Sequence, residues 1–109
     1  MSYLEKILAA IIKDAGIEAP QLENRFYGLR RWRADMIWIE KKLIVEIEGG
    51  LYVPGGGRHQ RMEGIQNDME KYNTATLLGY KVLRVSKDHI LNGKALHWIK
   101  VGLGIESLD

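Results

Sequence analysis

Three carboxylates stand out because they lie in segments that are otherwise mostly apolar. Asp35 falls within residues 32–39, and Glu46 and Glu48 fall within residues 43–48. Charged side chains in such segments are costly unless they are paired, exposed or bound to a metal. Converging carboxylates repel one another, and a hard divalent cation such as Mg²⁺ or Mn²⁺ would relieve that repulsion. One interpretation of the pattern is therefore a metal site.

The alternative is that Glu46 and Glu48 lie on a solvated strand face opposite the core. Alternation along a strand puts both glutamates on one face, which they share with Ile44. The isoleucine argues mildly against a solvated face. Spacing alone leaves the metal site and the solvated face equally weighted.

Basic residues flank the acidic strand on both sides. Residues 21–34 carry a local charge of +3, and residues 49–62 carry +2. Such a layout could lead a polyanionic backbone onto a metal-bound phosphate, although either arginine group alone is better explained as a solvated surface. The arginines concerned are Arg25, Arg30, Arg31, Arg33, Arg58 and Arg61.

The elements that would position these residues form an α/β pattern. Apolar residues at helical spacing predict a helix over residues 3–15, with Ser2 as N-cap and Glu5 in a capping box. Strands are predicted over residues 24–28, 32–39 and 43–48, and the last two would form an antiparallel hairpin that turns at Lys41-Lys42. That hairpin would bring Asp35 beside Glu46.

The second half of the chain continues the alternation of helices and strands. A glycine-rich loop is predicted over residues 49–57, a helix over 60–78, a strand over 80–85 and a last helix over 87–99. The apolar stripe expected on the 60–78 helix consists of Met62, Ile65, Met69, Tyr72 and Leu77. The order predicts an α/β domain with a mixed central sheet flanked by helices.

Composition narrows the protein class. The chain has 109 residues, a formal net charge of +2 and no cysteine. That length fits one domain, and the lack of cysteine excludes disulfide scaffolds and thiolate metal sites within it. The apolar runs are too short to span a bilayer. These features suit a cytosolic globular protein.

The ordered motifs resemble the PD-(D/E)xK nuclease superfamily. Its core is matched by Arg31-Trp32-Arg33-Ala34-Asp35 followed by Leu43-Ile44-Val45-Glu46-Ile47-Glu48-Gly49-Gly50. The continuation through Gly57-Arg58-His59, Asp68, Lys71-Tyr72-Asn73 and residues 78–85 is similar to small phage-type endonucleases and Holliday junction resolvases, near the VRR-NUC and very-short-patch-repair-like branches. The match covers roughly residues 23–86.

The resemblance implies an αβββαβ core, a single nuclease domain over residues 1–109, and a magnesium or manganese site. Asp35 and Glu46 would be ligands, with the Ile47 carbonyl as a third. Glu48 stands where the family usually has lysine, so Lys71 is the candidate replacement. The catalytic set is then Glu5, Asp35, Glu46, Glu48 and Lys71, with His59, Gln66 and Asp68 as auxiliary candidates.

The function implied is a structure-specific DNA endonuclease, above all a Holliday junction resolvase. His59 and the six arginines named above would contact DNA, and the small size predicts a homodimer, with Trp98 in the dimer surface. A phage origin would place the protein in the cytoplasm of a bacterial host. The alternatives are a nicking, repair or restriction-type nuclease on duplex DNA, and a noncatalytic DNA-binding module, which the glutamate at position 48 favours.

Overall fold

The computed structural model describes residues 1–49 and 58–109, and of residues 58–61 only the backbone. Most of the glycine-rich loop predicted over residues 49–57, and the side chains of Arg58, His59 and Arg61, lie outside the described residues. None of the helices in the described part is long and apolar enough to cross a membrane. The elements are α1 (Tyr3–Asp14), β1 (Gln21–Asn24), β2 (Ala34–Trp38), β3 (Leu43–Ile47), α2 (Arg58–Leu77), β4 (Lys81–Val85), α3 (Lys87–Leu91) and α4 (Lys94–Gly102).

The sheet is mixed, as the sequence predicts. Its strands lie in the order β1-β2-β3-β4, with antiparallel pairing between β1 and β2 and between β2 and β3. β3 and β4 run parallel, so the chain between them crosses over through α2. Lys42 N donates to Ile39 O at 3.2 Å and closes the turn of the β2–β3 hairpin. The predicted hairpin and the αβββαβ order are confirmed.

Apolar side chains cover both faces of the sheet. One face packs against α1, α3 and α4 through a cluster that includes Leu8, Trp38 and Val45. The other face meets α2 through a smaller cluster of Ala34, Ile37, Ile44 and Ala75. The strands of the hairpin are therefore buried on two sides, which explains why they read as nearly continuous apolar runs. Any charge within them needs a specific partner.

The predicted apolar stripe of α2 is wrong. Met62, Ile65, Met69 and Leu77 are exposed, and the contact of α2 with the apolar cluster is made by Ala75. A small alanine lets the helix approach the sheet closely, whereas the long side chains point elsewhere. Tyr72 is half-buried, but it faces the carboxylates described below rather than the apolar cluster.

Two other boundaries also differ from the prediction. β1 covers Gln21–Asn24 instead of residues 24–28, because its exposed polar residues give no alternation from which an edge strand could be read. The last helix is two helices, since Gly93 adopts φ 88° between α3 and α4. The indole of Trp98 stacks edge-on against His89 with ring centroids 4.9 Å apart, and it is half-buried against the core. Its predicted place in a dimer surface stays a prediction.

We expect Leu43→Ala to lower the free energy of unfolding by about 2–5 kcal/mol, because it removes a fully buried side chain from the core. The matched change Leu77→Ala, at a residue that is 86% exposed, should alter it by less than about 0.5 kcal/mol. Chemical denaturation followed by circular dichroism measures both. A large loss of unfolding free energy in the Leu77 variant would instead support the apolar stripe predicted for α2.

Candidate active site

The site is built around a reciprocal pair of carboxylates at the end of the β2–β3 hairpin. The paired register of the two strands runs from Trp38↔Leu43 to Met36↔Val45. Beyond it, Asp35 N donates to Glu46 Oε2 at 2.9 Å, and Ile47 N donates to Asp35 Oδ2 at 2.8 Å. Each carboxylate thus accepts a main-chain hydrogen bond from the opposite strand. One oxygen of each is held in place, and the predicted meeting of Asp35 and Glu46 is confirmed.

Lys71 reaches this pair from α2. Its ammonium contacts Oε1 of Glu46, which is only 3% exposed. The sequence allowed Lys71 to pair instead with Asp68 on the surface of its own helix, but its ion pair is with Glu46. A lysine thus stands beside Glu46 although residue 48 is a glutamate.

Burial dominates the electrostatics of Glu46. Desolvation raises its pKa to about 7, and the charge of Asp35 acts in the same direction. The Lys71 ammonium and the Asp35 amide lower the pKa, but they do not offset the burial. The carboxylate is therefore short of positive charge.

Glu5 brings a third carboxylate from α1. Its backbone N–H donates to the side chain of Ser2 at 3.2 Å, which places it in the first turn of the helix as predicted. The side chain is 6% exposed, and its Oε2 has no hydrogen-bond partner among the residues the structure describes. Burial and the charge of Asp35 raise the pKa of Glu5. The charges of Glu5 and Asp35 therefore repel each other.

Glu48 has partners of a different kind. Its Oε1 accepts from Arg84 Nε at 2.7 Å and from the Tyr72 hydroxyl at 3.0 Å. The Arg84 guanidinium also lies over the Tyr72 ring, 4.7 Å from its centre. Burial, followed by the surrounding carboxylates, raises the pKa of Tyr72, so the hydroxyl stays protonated and donates. The negative charge of Glu48 is thus matched by residues of β4 and α2.

Tyr72 and Arg84 are site residues that the sequence analysis did not select. Tyr72 directly follows Lys71 in the motif, and a signal was therefore present. Arg84 aligns with Glu46 in the parallel register of β3 and β4, a relation that becomes visible only when the strand pairing is known.

Several of the residues described above line an open cleft of about 190 Å³, whereas Glu5 and Arg84 lie outside its lining. Asp68 belongs to its wall, whereas Gln66 is exposed and outside it. The lining consists of Asp35, Glu46, Ile47, Glu48, Asp68, Lys71 and Tyr72.

The oxygen atoms at one end of the cleft are suited to a hard cation. Within residues 1–49 and 58–109, no three His, Asp or Glu side chains are grouped so that they could hold a metal by themselves. Asp35 and Glu46 do meet, and the charge of Asp35 also raises the pKa of Glu5, whose buried Oε2 has no hydrogen bond from the described residues. Two carboxylates completed by a main-chain carbonyl would form an oxygen-only donor set, which Mg²⁺ and Mn²⁺ accept together with water.

Four of the residues that the sequence predicts to contact DNA are exposed. They lie between β1 and β2, in the segment that leads into the strand of Asp35. Their side chains are free of the core, as binding to a polyanion requires. The four are Arg25, Arg30, Arg31 and Arg33.

We expect a carbon-13 NMR titration of the metal-free protein to give Glu46 a pKa of about 7, against an ordinary value of 4.5. Because the folded-state pKa is raised, the contribution of this group to stability is complete below about pH 4.5 and is lost as the pH rises through about 7. Lys71→Met removes a group that lowers this pKa, so the pKa should rise further.

Lys81→Met is the matched control, since Lys81 is exposed on β4 and has no contact with Glu46. It should leave the Glu46 titration unchanged. An unchanged pKa in Lys71→Met would show that the ammonium does not pair with Glu46 in solution.

The fold is similar to that of a solved nuclease domain. Comparison with models of protein families gives no match, and comparison with curated proteins gives none either. Among solved structures, a chain titled "Homing Endonuclease I-Bth0305I Catalytic Domain" superposes with a TM-score of 0.67 over 100% of both chains, at 16% sequence identity. The chain therefore has the α/β fold of that catalytic domain.

Proposed function

We propose that this protein is a metal-dependent endonuclease that hydrolyses phosphodiester bonds of DNA. The observation that carries the proposal is the arrangement of Asp35, Glu46 and Lys71, with two carboxylates fixed where β2 and β3 separate and a lysine against one of them. The superfamily motifs in the sequence support it, as does the fold shared with a protein named as a homing endonuclease.

In this proposal Asp35, Glu46 and the Ile47 carbonyl hold Mg²⁺ or Mn²⁺. The raised pKa of Glu46 supports the assignment, because it reports a buried carboxylate that lacks positive charge. When bound, a divalent cation lowers the pKa of a coordinated water and neutralises the charge that develops on a phosphate. The main-chain hydrogen bonds to Asp35 and Glu46 keep both carboxylates oriented for that cation.

In this proposal Lys71 performs the role of the lysine that the superfamily usually has at position 48. Its ammonium is held at the cleft by Glu46, where it adds fixed positive charge for the transferred phosphate. Glu48, which occupies the usual lysine position, shapes the wall of the cleft through Arg84 and Tyr72. In this proposal Glu48 therefore contributes to catalysis only indirectly, through the residues that it positions.

For Glu5 we propose the role that the resemblance implies, that of an acidic residue brought towards the site by α1. Its buried Oε2 carries no hydrogen bond from the described residues, and burial and the charge of Asp35 raise its pKa. Because Glu5 does not line the cleft, it acts on the site through its charge.

For the substrate we propose branched DNA of the Holliday junction type, on the strength of the sequence resemblance. Symmetric cutting of two strands needs two sites, so a two-fold homodimer is part of this proposal. The exposed arginines between β1 and β2 would hold the flanking phosphates.

A substrate panel tests this function. The full chain is incubated with a labelled four-way junction, a flap and a linear duplex, each with Mg²⁺, Mn²⁺ or EDTA. We expect paired symmetric nicks in the junction that need the cation. Cleavage of the duplex alone would replace the resolvase proposal with a duplex nuclease. Binding without any cleavage would favour a noncatalytic DNA-binding module.

We expect Asp35→Asn and Glu46→Gln each to reduce cleavage by more than about 100-fold, because each removes a metal ligand. DNA affinity should stay within about threefold, since the arginines that supply it are intact. Gel-shift and cleavage assays on the same preparations measure the two effects. Glu40→Gln, at an exposed acid in the hairpin turn, is the matched control and should change neither. Parallel loss of binding and cleavage would refute the ligand role.

A further inference from the structure

A tight turn between β1 and β2 presents one leucine to the solvent. Arg30 N donates to Tyr27 O at 3.3 Å, which leaves Gly28 and Leu29 as the central residues of the turn. Leu29 is 81% exposed. A single exposed leucine needs no explanation by itself, so the surroundings of this one decide its meaning.

The base of the turn is fixed by aromatic and polar contacts. The rings of Tyr27 and Trp32 are stacked, with centroids 6.0 Å apart and planes 19° apart. The Arg30 guanidinium lies 4.1 Å from the centre of the Trp32 ring. Trp32 is buried, and its Nε1 donates to Asn67 Oδ1 at 3.0 Å. The leucine is therefore held at the tip of a braced projection and not on a loose loop.

Both attachments of the turn lead to the candidate active site. Along the chain, Trp32 lies two residues before the first residue of β2, the strand that carries Asp35. Through its hydrogen bond, Trp32 is also attached to Asn67, which lies about one helical turn before Lys71 on α2. The turn is therefore connected to both elements that hold the carboxylates and the lysine.

The segment that carries the leucine is rich in positive charge. Arg25, Arg30, Arg31 and Arg33 are all exposed on it, and Arg30 forms an ion pair with Glu70 at 3.8 Å. Ion pairs at such exposed positions contribute little, so the arginines remain available. An apolar tip among cations does not fit an apolar protein groove. It fits DNA, where phosphates attract the arginines and the leucine can enter between stacked bases.

Space for a displaced base adjoins the tip. A cleft of about 350 Å³ opens beside the turn, lined in part by Leu29, Trp32 and Asn73. Its wall combines an aromatic ring with polar groups, which suits the face and the edge of a base.

We propose that residues 27–30 form a wedge and that Leu29 inserts between bases, unstacking the DNA next to the phosphate that is cut. The inference rests on the proposed endonuclease function and adds to it the way in which DNA structure is recognised. A four-way junction, whose bases at the branch point are already easy to unstack, would accept the wedge more readily than a continuous duplex.

The test uses Leu29→Ala in the full chain, with Leu108→Ala as the matched control. Leu108 is 72% exposed, but its neighbours include Glu106 and Asp109 rather than arginines. DNA carrying 2-aminopurine at the branch point of a four-way junction, or at the centre of a duplex, reports unstacking by a rise in fluorescence. Measurements in EDTA keep the DNA uncut. We expect the rise with the wild type and the Leu108 variant, and its loss with Leu29→Ala.

Cleavage kinetics in Mg²⁺ separate a wedge from a general binding role. Leu29→Ala should cut a fully stacked substrate about tenfold more slowly, and a bulge opposite the wedge site should restore most of the rate. An unchanged fluorescence rise, or an equal loss of rate on stacked and bulged DNA, would overturn the wedge. A fluorescence rise that depends on Leu29 without any cleavage would keep the wedge and reject the nuclease. No binding by the wild type would reject both.

Discussion

The candidate site depends on the burial of negative charge at the point where two strands stop pairing. Glu46 lies almost completely within the fold, and Asp35 is its neighbour on the opposite strand. Their side chains accept the main-chain N–H groups that would otherwise remain unpaired when the ladder ends, which satisfies the backbone and fixes both carboxylates. The remaining requirement is positive charge, and Lys71 supplies only part of it. Because that lysine is carried by α2, the docking of this helix on the hairpin completes the pair.

Local pattern predicted the hairpin well, because alternation and the turn at Lys41-Lys42 operate over a few residues. These two features fix the antiparallel register of β2 and β3, and that register brings Asp35 next to Glu46. The partners of the pair could not be predicted in this way. The choice of Lys71 between Asp68 and Glu46 is decided by how α2 docks on the sheet, and Arg84 enters the site through the pairing of distant strands.

The errors in the fold have the same origin. The stripe predicted on α2 assumed that its largest apolar residues face the core, but the helix packs closely through Ala75 and leaves Met62 and Met69 exposed. Helical periodicity predicts that a segment is a helix, but it does not determine which face of that helix packs against the sheet. The division of the last helix at Gly93 was signalled by the Asn92-Gly93 pair, whose positive φ at the glycine ends one helix before the next begins.

The position of the lysine on α2 has a consequence for folding. The β2–β3 hairpin is local and can bring the two carboxylates together early, whereas the contact of Lys71 with Glu46 requires the crossover helix to dock. A motif that carried its lysine on β3 would acquire its charge pattern with the hairpin alone. In this chain the full set of groups exists only after long-range packing is complete. A nascent or locally unfolded chain therefore lacks the complete group, whose assembly is coupled to the cooperative formation of the native state.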